Sequence, residues 1–230
     1  MSVIEVINIE KTYQETKVPV HAVNGINLEF DEGEFTAIVG PSGSGKTTLL
    51  NMIGGLDAPT NGEVLINNIN LSTLRSRKLI DFRLRNIGFV FQAYNLIPVL
   101  TALENVAFIL QLQGWSKQKR HDRAKELLNA VGIDDERFHH RPGNLSGGQQ
   151  QRVAVARALA PRPKFILADE PTANLDSRST SELLDIMQKM NEESKITFIF
   201  STHDQRVMDK AKRIITIEDG KVKEDLSVRN

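Results

Sequence analysis

Eight consecutive residues constrain the fold of this chain more than any other stretch. Residues 40–47 read Gly-Pro-Ser-Gly-Ser-Gly-Lys-Thr and match the pattern G-x-x-x-x-G-K-[ST]. A short apolar run of strand type, residues 35–39, precedes the pattern, and residues 48–53 can open a helix after it. On ordinary residue frequencies the bare pattern arises in roughly one chain in a hundred of this length. A Gly/Ser-rich turn is the alternative, but the flanking strand and helix predict a phosphate-binding loop.

The residue types in this phosphate loop (residues 40–47) suit a nucleoside triphosphate. Glycines let successive backbone N–H groups converge on phosphate oxygens, and the N-terminus of the following helix adds its dipole. We expect Lys46 to lie between the β- and γ-phosphates, Thr47 to offer its hydroxyl to Mg²⁺, and Ser42 to reach the γ-phosphate side. The candidate nucleotide ligands are Gly40, Pro41, Ser42, Gly43, Ser44, Gly45, Lys46, Thr47 and Thr48.

Composition excludes several classes of function. The 29 Lys and Arg residues balance 29 Asp and Glu residues, so no overall positive field favours nucleic acid as a partner. The chain has no cysteine, which excludes disulfides, thiolate metal sites and a cysteine nucleophile. No apolar run approaches the ~18 residues that a membrane span needs, and the N-terminus lacks the pattern of a secretion leader. We therefore expect a chain that neither is secreted nor spans a membrane.

Hydrophobic patterning predicts a mixed α/β architecture. Alternating segments favour antiparallel strands, with the ranges 3–9, 21–30 and 63–66. Short apolar runs favour buried strands, with the ranges 35–39, 87–91, 165–168 and 196–200, and a hairpin closes the chain at 213–222. Predicted helices span 74–84, 106–112, 117–131 and 176–190. Residues 93–160 show helices without obvious strands, which indicates an all-helical insertion.

A second helix N-terminus also favours an anion. Residues 145–149 read Leu-Ser-Gly-Gly-Gln and open a helix that stops before Pro161. Its N–H groups and dipole suit a phosphate, but no lysine lies there and no strand leads into it, so it cannot be an independent nucleotide site of the first kind. If two chains meet head to tail, Ser146 and Gly148 of one could close on the γ-phosphate held by the phosphate loop of the other.

Together, the phosphate loop, the sequence LSGGQ and an apolar strand ending in Asp-Glu resemble the nucleotide-binding subunits of ATP-binding cassette (ABC) transporters. The resemblance covers essentially the whole chain. It implies an α/β P-loop NTPase (RecA-like) fold with a mixed sheet core, an antiparallel β subdomain and an all-helical insertion. Residues 1–230 would then form a single ATPase domain. Its catalytic core would be 1–92 and 161–230, and its helical subdomain 93–160.

The resemblance also implies catalytic roles. Gln92 looks like the glutamine that touches Mg²⁺ and the attacking water, and Asp169 looks like the aspartate that holds Mg²⁺. Glu170 resembles the general base, and His203 resembles the switch histidine near the γ-phosphate. A lone histidine after a strand is otherwise more often a satisfied turn residue. Lys46 joins these residues as the cation that neutralises charge on the γ-phosphate.

Two further positions carry family roles at the nucleotide and at the dimer contact. Tyr13 falls in the irregular segment between the first two strands, where a packed edge aromatic is the commoner interpretation. The family instead implies a ring that stacks on adenine. Asp176 resembles a contact across the dimer. The implied contacts to the nucleotide of the partner chain are Ser146, Gly147, Gly148 and Gln149.

The expected cofactors are therefore ATP and Mg²⁺, and the expected partners are a second copy of the chain and separate transmembrane permease subunits. We expect a peripheral location at the cytoplasmic face of the inner or plasma membrane. The apolar residues Tyr94, Leu96, Ile97, Pro98, Val99 and Leu100 would form part of a permease groove, or else belong to the core.

Residues 87–98, 101–106 and 167–176 look most like the lipoprotein-releasing (LolD-like) and macrolide-exporter (MacB-like) cassettes. Many relatives carry glycine at position 173 and a charged residue at 149, where this chain has Ala173 and Gln149. The subgroup implies export, lipoprotein release or mechanotransmission. A soluble cassette acting on nucleic acid or ribosomes is the alternative. The single phosphate loop and the absence of a heptad arm weigh against it.

Overall fold

The computed structural model describes residues 2–14 and 19–227, which contain ten strands and seven α-helices. The strands are β1 (Ser2–Tyr13), β2 (Val20–Asp31), β3 (Phe35–Val39), β4 (Asn61–Ile66), β5 (Ile69–Asn70), β6 (Ile87–Val90), β7 (Phe165–Asp169), β8 (Thr197–Ser201), β9 (Arg213–Glu218) and β10 (Lys221–Ser227). The helices are α1 (Lys46–Ile53), α2 (Ser76–Asn86), α3 (Ala102–Leu112), α4 (Lys117–Ala130), α5 (Gly147–Leu159), α6 (Ser177–Ser194) and α7 (Gln205–Lys210).

The larger sheet has the strand order β10–β9–β3–β8–β7–β6. Its strands pair in parallel from β9 to β6, and β10 pairs antiparallel with β9 as the hairpin partner. Since parallel strands end at the same edge, the segments that follow β3, β6, β7 and β8 meet there. Those four segments carry, in that order, the phosphate loop, Gln92, Glu170 and His203.

A second sheet, with the order β2–β1–β4–β5, is antiparallel throughout. Helix α1 lies between the two sheets. Its buried residues Leu49, Leu50 and Ile53 share one hydrophobic cluster with Ile4 of β1 and Ile199 of β8. The position of the phosphate loop is therefore set by a helix that is packed on both sides.

The opposite face of the larger sheet packs against helices. Phe198 and Phe200 of β8 belong to one cluster with buried side chains of α3, α4, α5 and α6, such as Leu110, Leu128 and Leu184. Residues 93–160 contain three α-helices and short 3₁₀ turns without a strand. Their separation as a subdomain remains a prediction, because their apolar side chains continue into the core of the sheet.

The fold class predicted from the sequence is confirmed, with differences at element ends. The predicted placement of Tyr13 in an irregular segment between the first two strands was wrong: Tyr13 is the last residue of β1 and pairs with Val20. Several register shifts between β1 and β2 break the alternation there while pairing continues. The helix predicted at 176–190 extends to Ser194, since its buried face continues through Asn191 until Lys195 turns left-handed at φ 53°. Neither β5 nor α7 was predicted.

Candidate functional site

The phosphate loop lies backbone against backbone on one strand of each sheet. Gly40 has φ 148°, and a Cβ atom added there would lie 2.0 Å from the carbonyl oxygen of Ile217 in β9. Gly45 has φ 102°, and its added Cβ would lie 2.2 Å from the carbonyl oxygen of Ala22 in β2. Only glycine fits at either position, both for its φ and for its size.

Lys46 follows at the start of α1 and is almost fully buried, with 8% of its surface exposed. Its Nζ donates to the carbonyl oxygens of Gly40 and Pro41, at 2.9 Å each. The ammonium group is thus held against the loop that it would share with a phosphate. Gly45 provides no side-chain cap for α1, so the first N–H groups of the helix suit an anion as their acceptor.

Asp169 ends β7 beside the first turn of α1. Its Oδ1 accepts a 2.9 Å hydrogen bond from the Thr47 hydroxyl. A carboxylate and a hydroxyl in contact fit Mg²⁺, which takes one or two protein oxygens and completes its octahedron with waters and substrate phosphates. Among the described residues no group of three or more His, Cys, Asp or Glu side chains forms a metal site of its own. The Thr47 hydroxyl and the Asp169 carboxylate are a donor pair that fits Mg²⁺ shared with nucleotide phosphates.

Glu170 follows Asp169 with a left-handed backbone, φ 46°, and its N–H donates to the carbonyl of Ser201 at 2.9 Å. One side-chain oxygen, Oε1, lies 2.8 Å from Nδ1 of His203. The other, Oε2, is buried and has no hydrogen-bond partner among the described residues. A buried acceptor without a partner can receive a hydrogen bond from a water molecule, which is what a general base for hydrolysis requires.

One cleft of about 680 Å³, a size that suits a small-molecule ligand, lies beside these groups; Asp169, which contacts Thr47, is not part of its lining. The cleft is lined by Val20, His21, Ala22, Gly40, Pro41, Ser42, Gly43, Gly45, Lys46, Thr47, Thr48, Gln92, Glu170 and His203. The structure therefore brings the phosphate loop together with three of the predicted catalytic residues. Ser44 is a buried residue of the loop that does not line the cleft, and its hydroxyl has no hydrogen-bond partner in the described part of the chain.

Two contributions to the site were missed from the sequence. Val20, His21 and Ala22 reach the cleft from β2, and no local pattern indicates that this strand lies beside the phosphate loop. Gln151 is fully buried on α5, and its Nε2 donates to the carbonyls of Pro171 at 2.8 Å and Phe91 at 3.3 Å. A polar residue on the buried face of the α5 pattern was the available signal.

The residues 145–149 do not line the cleft of their own chain. Ser146 caps α5: its hydroxyl accepts from the Gln149 N–H at 3.3 Å, and its own N–H donates to Gln149 Oε1 at 2.9 Å. An added Cβ on Gly147 would lie 2.7 Å from the Tyr94 hydroxyl, and one on Gly148 would lie 2.7 Å from Ser179 Oγ. The helix N-terminus is thus capped and closely packed, but away from the phosphate loop.

Tyr13 and Asp176 also lie outside the lining of the cleft. The Tyr13 hydroxyl donates to Asp57 Oδ2 at 2.8 Å. Asp176 caps α6, accepting from the N–H groups of Arg178 and Ser179 at 3.0 and 2.9 Å. The hydroxyl of Ser179 also donates to this carboxylate, at 2.7 Å. The two hydrogen bonds from Ser179, from its hydroxyl and then from its N–H, hold the pKa of Asp176 below its usual range. The roles inferred for both residues stay predictions.

Comparisons with known proteins agree with this geometry. A family model described as ABC transporter matches residues 23–173. The ATP-binding cassette MJ0796 of Methanocaldococcus jannaschii is 47% identical, over 98% of this chain and 97% of that protein. Its dimeric structure, described as a post-hydrolysis state bound to ADP and Pi, matches with a TM-score of 0.92 over 99% of both chains.

Two further relatives have more specific names. The lipoprotein-releasing system ATP-binding protein LolD of Syntrophotalea carbinolica is 41% identical, over 96% of this chain and 97% of that protein. The macrolide export ATP-binding/permease protein MacB of Hyphomonas neptunium is 46% identical over 96% of this chain, which spans 34% of that protein. These matches agree with the subgroup indicated by the sequence.

The contact between Gly40 and β9 generates a prediction. Gly40→Ala places a methyl group on the Ile217 carbonyl, so the loop must move and nucleotide binding should fall at least about tenfold, as measured by calorimetry with ADP. Gly143→Ala is the matched control, because an added Cβ there meets no atom within 4 Å, and it should leave binding unchanged. Equal ADP affinity in the Gly40→Ala variant would contradict the proposed geometry.

Proposed function

The chain belongs to the ABC transporter family, and we propose that this ATP-hydrolysing subunit works as a nucleotide-sandwich dimer that drives a separate membrane permease. One observation carries the proposal. The phosphate loop, Gln92, Glu170 and His203 share one cleft, whereas residues 145–149 of the same chain lie outside it. A second chain would supply the missing anion-binding helix.

The chemistry follows from the positions of the side chains. Phosphoryl transfer needs positioning and neutralisation of charge more than covalent help from the protein. Lys46 and the first N–H groups of α1 would hold the phosphates, and Glu170 would orient water and take its proton through Oε2. His203, bound to Oε1, would keep this carboxylate oriented. When bound to Thr47 and Asp169, with Gln92 nearby, Mg²⁺ would neutralise charge on the β- and γ-phosphates.

The dimer hypothesis is supported by the donors at the start of α5. The Ser146 hydroxyl accepts from Gln149 and therefore keeps its own hydrogen to donate. The N–H groups of Gly147 and Gly148 add two donors at the positive end of the helix dipole. These groups would contact the γ-phosphate of the partner chain, and the dimeric state of the related MJ0796 structure is consistent with such an arrangement.

An apolar groove of about 400 Å³ is our candidate docking surface for the permease. Leu56, Ile80, Phe89, Phe91 and Ile109 are among its lining residues, and Leu56 and Ile80 are 43% and 57% exposed. The residues predicted for such a groove do not line it: Leu96 packs against the core, and Val99 is 70% exposed elsewhere.

Arg157 connects this groove to the catalytic edge of the sheet. Its guanidinium lines the groove and donates to the carbonyls of Asn95 at 2.5 Å and Tyr94 at 3.0 Å, just beyond Gln92. Burial lowers the pKa of Arg157. A permease segment in the groove would therefore contact the same segment that carries Gln92 into the cleft.

Within the described ranges no helix has both the length and the apolar character needed to cross a bilayer. We propose that the chain is peripheral at the cytoplasmic face of the membrane, bound through the groove. Its similarity to LolD and MacB supports an export, lipoprotein-release or mechanotransmission type of complex.

Glu170→Gln tests the catalytic assignment. The amide keeps the size of the side chain but cannot accept a proton, so ATP hydrolysis should fall at least about a hundredfold while ATP binding persists. Release of phosphate measures turnover, and size-exclusion chromatography with ATP should show an accumulated dimer. A variant that kept full turnover would remove Glu170 from the mechanism.

Ser146→Arg tests whether the site needs two chains. The bulky cation replaces the α5 cap at the predicted contact with the partner's γ-phosphate, so hydrolysis should fall to background. Binding of ADP by the isolated chain should change less than about twofold, because residue 146 lies outside its own cleft. Hydrolysis at the normal rate would show that the phosphate loop works without a partner.

Ile80→Asp and Leu56→Asp test the groove. A charge on this apolar surface should reduce recovery of the permease with the tagged chain from native membranes, while circular dichroism and the thermal midpoint stay near those of the parent. Leu226→Asp is the control, since Leu226 on β10 is 51% exposed but does not line the groove. Unchanged assembly in both groove variants would rule out this surface.

A further inference from the structure

Three side chains outside the lining of the cleft form one connected cluster around Tyr13. Lys11 Nζ donates to Asp57 Oδ1 at 2.6 Å and to the Ala58 carbonyl at 2.8 Å. The Tyr13 hydroxyl donates to the other carboxylate oxygen of Asp57, at 2.8 Å. The ammonium of Lys11 also lies over the Tyr13 ring, 4.9 Å from its centroid. Asp57 therefore holds both a cation and the edge of an aromatic ring.

This arrangement restrains the ring in two ways. Lys11 covers one face of the ring by a cation–π contact, and Asp57 fixes the direction of its hydroxyl. The side chain of Lys11 is 14% exposed and that of Asp57 is 29% exposed, so this ion pair is better shielded than an ordinary surface pair. A flat ligand would therefore have to stack on the opposite face of the ring.

The titration behaviour of the cluster agrees with its geometry. Burial and then the hydrogen bond to Asp57 raise the pKa of Tyr13, while a hydrogen bond with Thr48, a cleft residue, opposes that rise. Burial alone would raise the pKa of Asp57, but the hydrogen bonds from Lys11 and Tyr13 outweigh it and lower that pKa. These directions agree with a hydroxyl that donates to the Asp57 carboxylate.

Asp57 is also tied to the phosphate-binding helix. The N–H groups of Leu56 and Asp57 both donate to the carbonyl of Asn51, in the last turns of α1, at 2.8 and 3.2 Å. Helix α1 begins with Lys46 and Thr47 at the phosphate loop. One helix therefore fixes the phosphate site at its N-terminus and, through Asp57, the Tyr13 ring near its C-terminus.

We propose that Asp57 is a positioning residue for nucleobase binding, which holds the Tyr13 ring at a set distance from the phosphate loop with Lys11 covering its far face. The proposal rests on the inferred base-stacking role of Tyr13. Asp57 acts through Tyr13 and touches no reacting atom. Asp57 therefore affects the part of the nucleotide affinity that comes from the base, and it leaves the part that comes from the phosphates unchanged.

The affinities of the whole chain for ADP and for inorganic pyrophosphate, both measured by calorimetry, separate these two contributions, because pyrophosphate has phosphates but no base. Base–aromatic stacking that is well oriented contributes about tenfold or more in affinity. Asp57→Ala should weaken ADP binding about three- to tenfold and leave pyrophosphate binding unchanged. Asp57→Asn, which keeps an acceptor oxygen for the Tyr13 hydroxyl, should recover part of the loss. Asp185→Ala is the matched control, because Asp185 is also bound by a lysine, Lys210, at 2.7 Å.

Tyr13 variants distinguish failure of this proposal from failure of its premise. Tyr13→Phe removes the hydroxyl but keeps the ring, so its loss of ADP affinity should not add to that of Asp57→Ala in the double variant. If Tyr13→Ala weakens ADP binding and Asp57→Ala does not, Tyr13 stacks without help from Asp57 and the proposal is wrong. If Tyr13→Ala has no effect, the stacking premise is wrong. Equal loss of ADP and pyrophosphate binding in Asp57→Ala would indicate a general structural defect and would also overturn it.

Discussion

The close backbone contact between the phosphate loop and two strands is the constraint on which the site depends. Gly40 lies against a carbonyl of β9 in the parallel sheet, and Gly45 lies against a carbonyl of β2 in the antiparallel sheet. Gly220, after β9, adds a hydrogen bond from its N–H to the Ser44 carbonyl at 3.1 Å. The shape of the loop is therefore supported by contacts from both sheets and from the closing hairpin, although the motif itself is local in sequence.

Two adjacent carboxylates have different contacts because the chain turns sharply between them. Asp169 is still in β7, in register with Ser201 of β8, and contacts Thr47. Glu170 takes a left-handed backbone, which costs about 1–3 kcal/mol for a residue other than glycine. The hydrogen bond from its N–H to Ser201 stabilises this turn, and its side chain then meets His203. Because of this strained turn, Asp169 faces Thr47, where a cation would bind, whereas Glu170 faces His203, where it can activate water.

The sequence predicted those parts of the site that are determined locally or by strand order. The phosphate loop was predicted from its local motif, whereas the roles of Gln92, Glu170 and His203 were implied by the resemblance to the family. All four follow parallel strands, whose carboxyl ends share one edge of the sheet. The capping box of α3, formed by Thr101 and Glu104, is local in the same sense, since it depends on residues three apart. The contribution of β2, the buried amide of Gln151 and the pairing of Tyr13 with Asp57 depend on contacts between distant segments. No local pattern specifies the partners in these contacts, although the polar Gln151 on the apolar face of α5 indicates that its amide needs one.

The capping of α5 explains why a second chain is the economical source of the missing contacts. Within the chain, the Ser146 hydroxyl oxygen accepts the Gln149 N–H, and the Gln149 side-chain oxygen accepts the Ser146 N–H. The groups left at the helix N-terminus are therefore hydrogen-bond donors: the Ser146 hydroxyl and the N–H groups of Gly147 and Gly148. Such a surface suits an anion, yet the phosphates of the same chain would lie in a cleft that residues 145–149 do not line. A γ-phosphate held between two chains would satisfy both sets of donors at once. ATP would then stabilise the dimer by mass action, and loss of the γ-phosphate would remove the shared acceptor and release the partners.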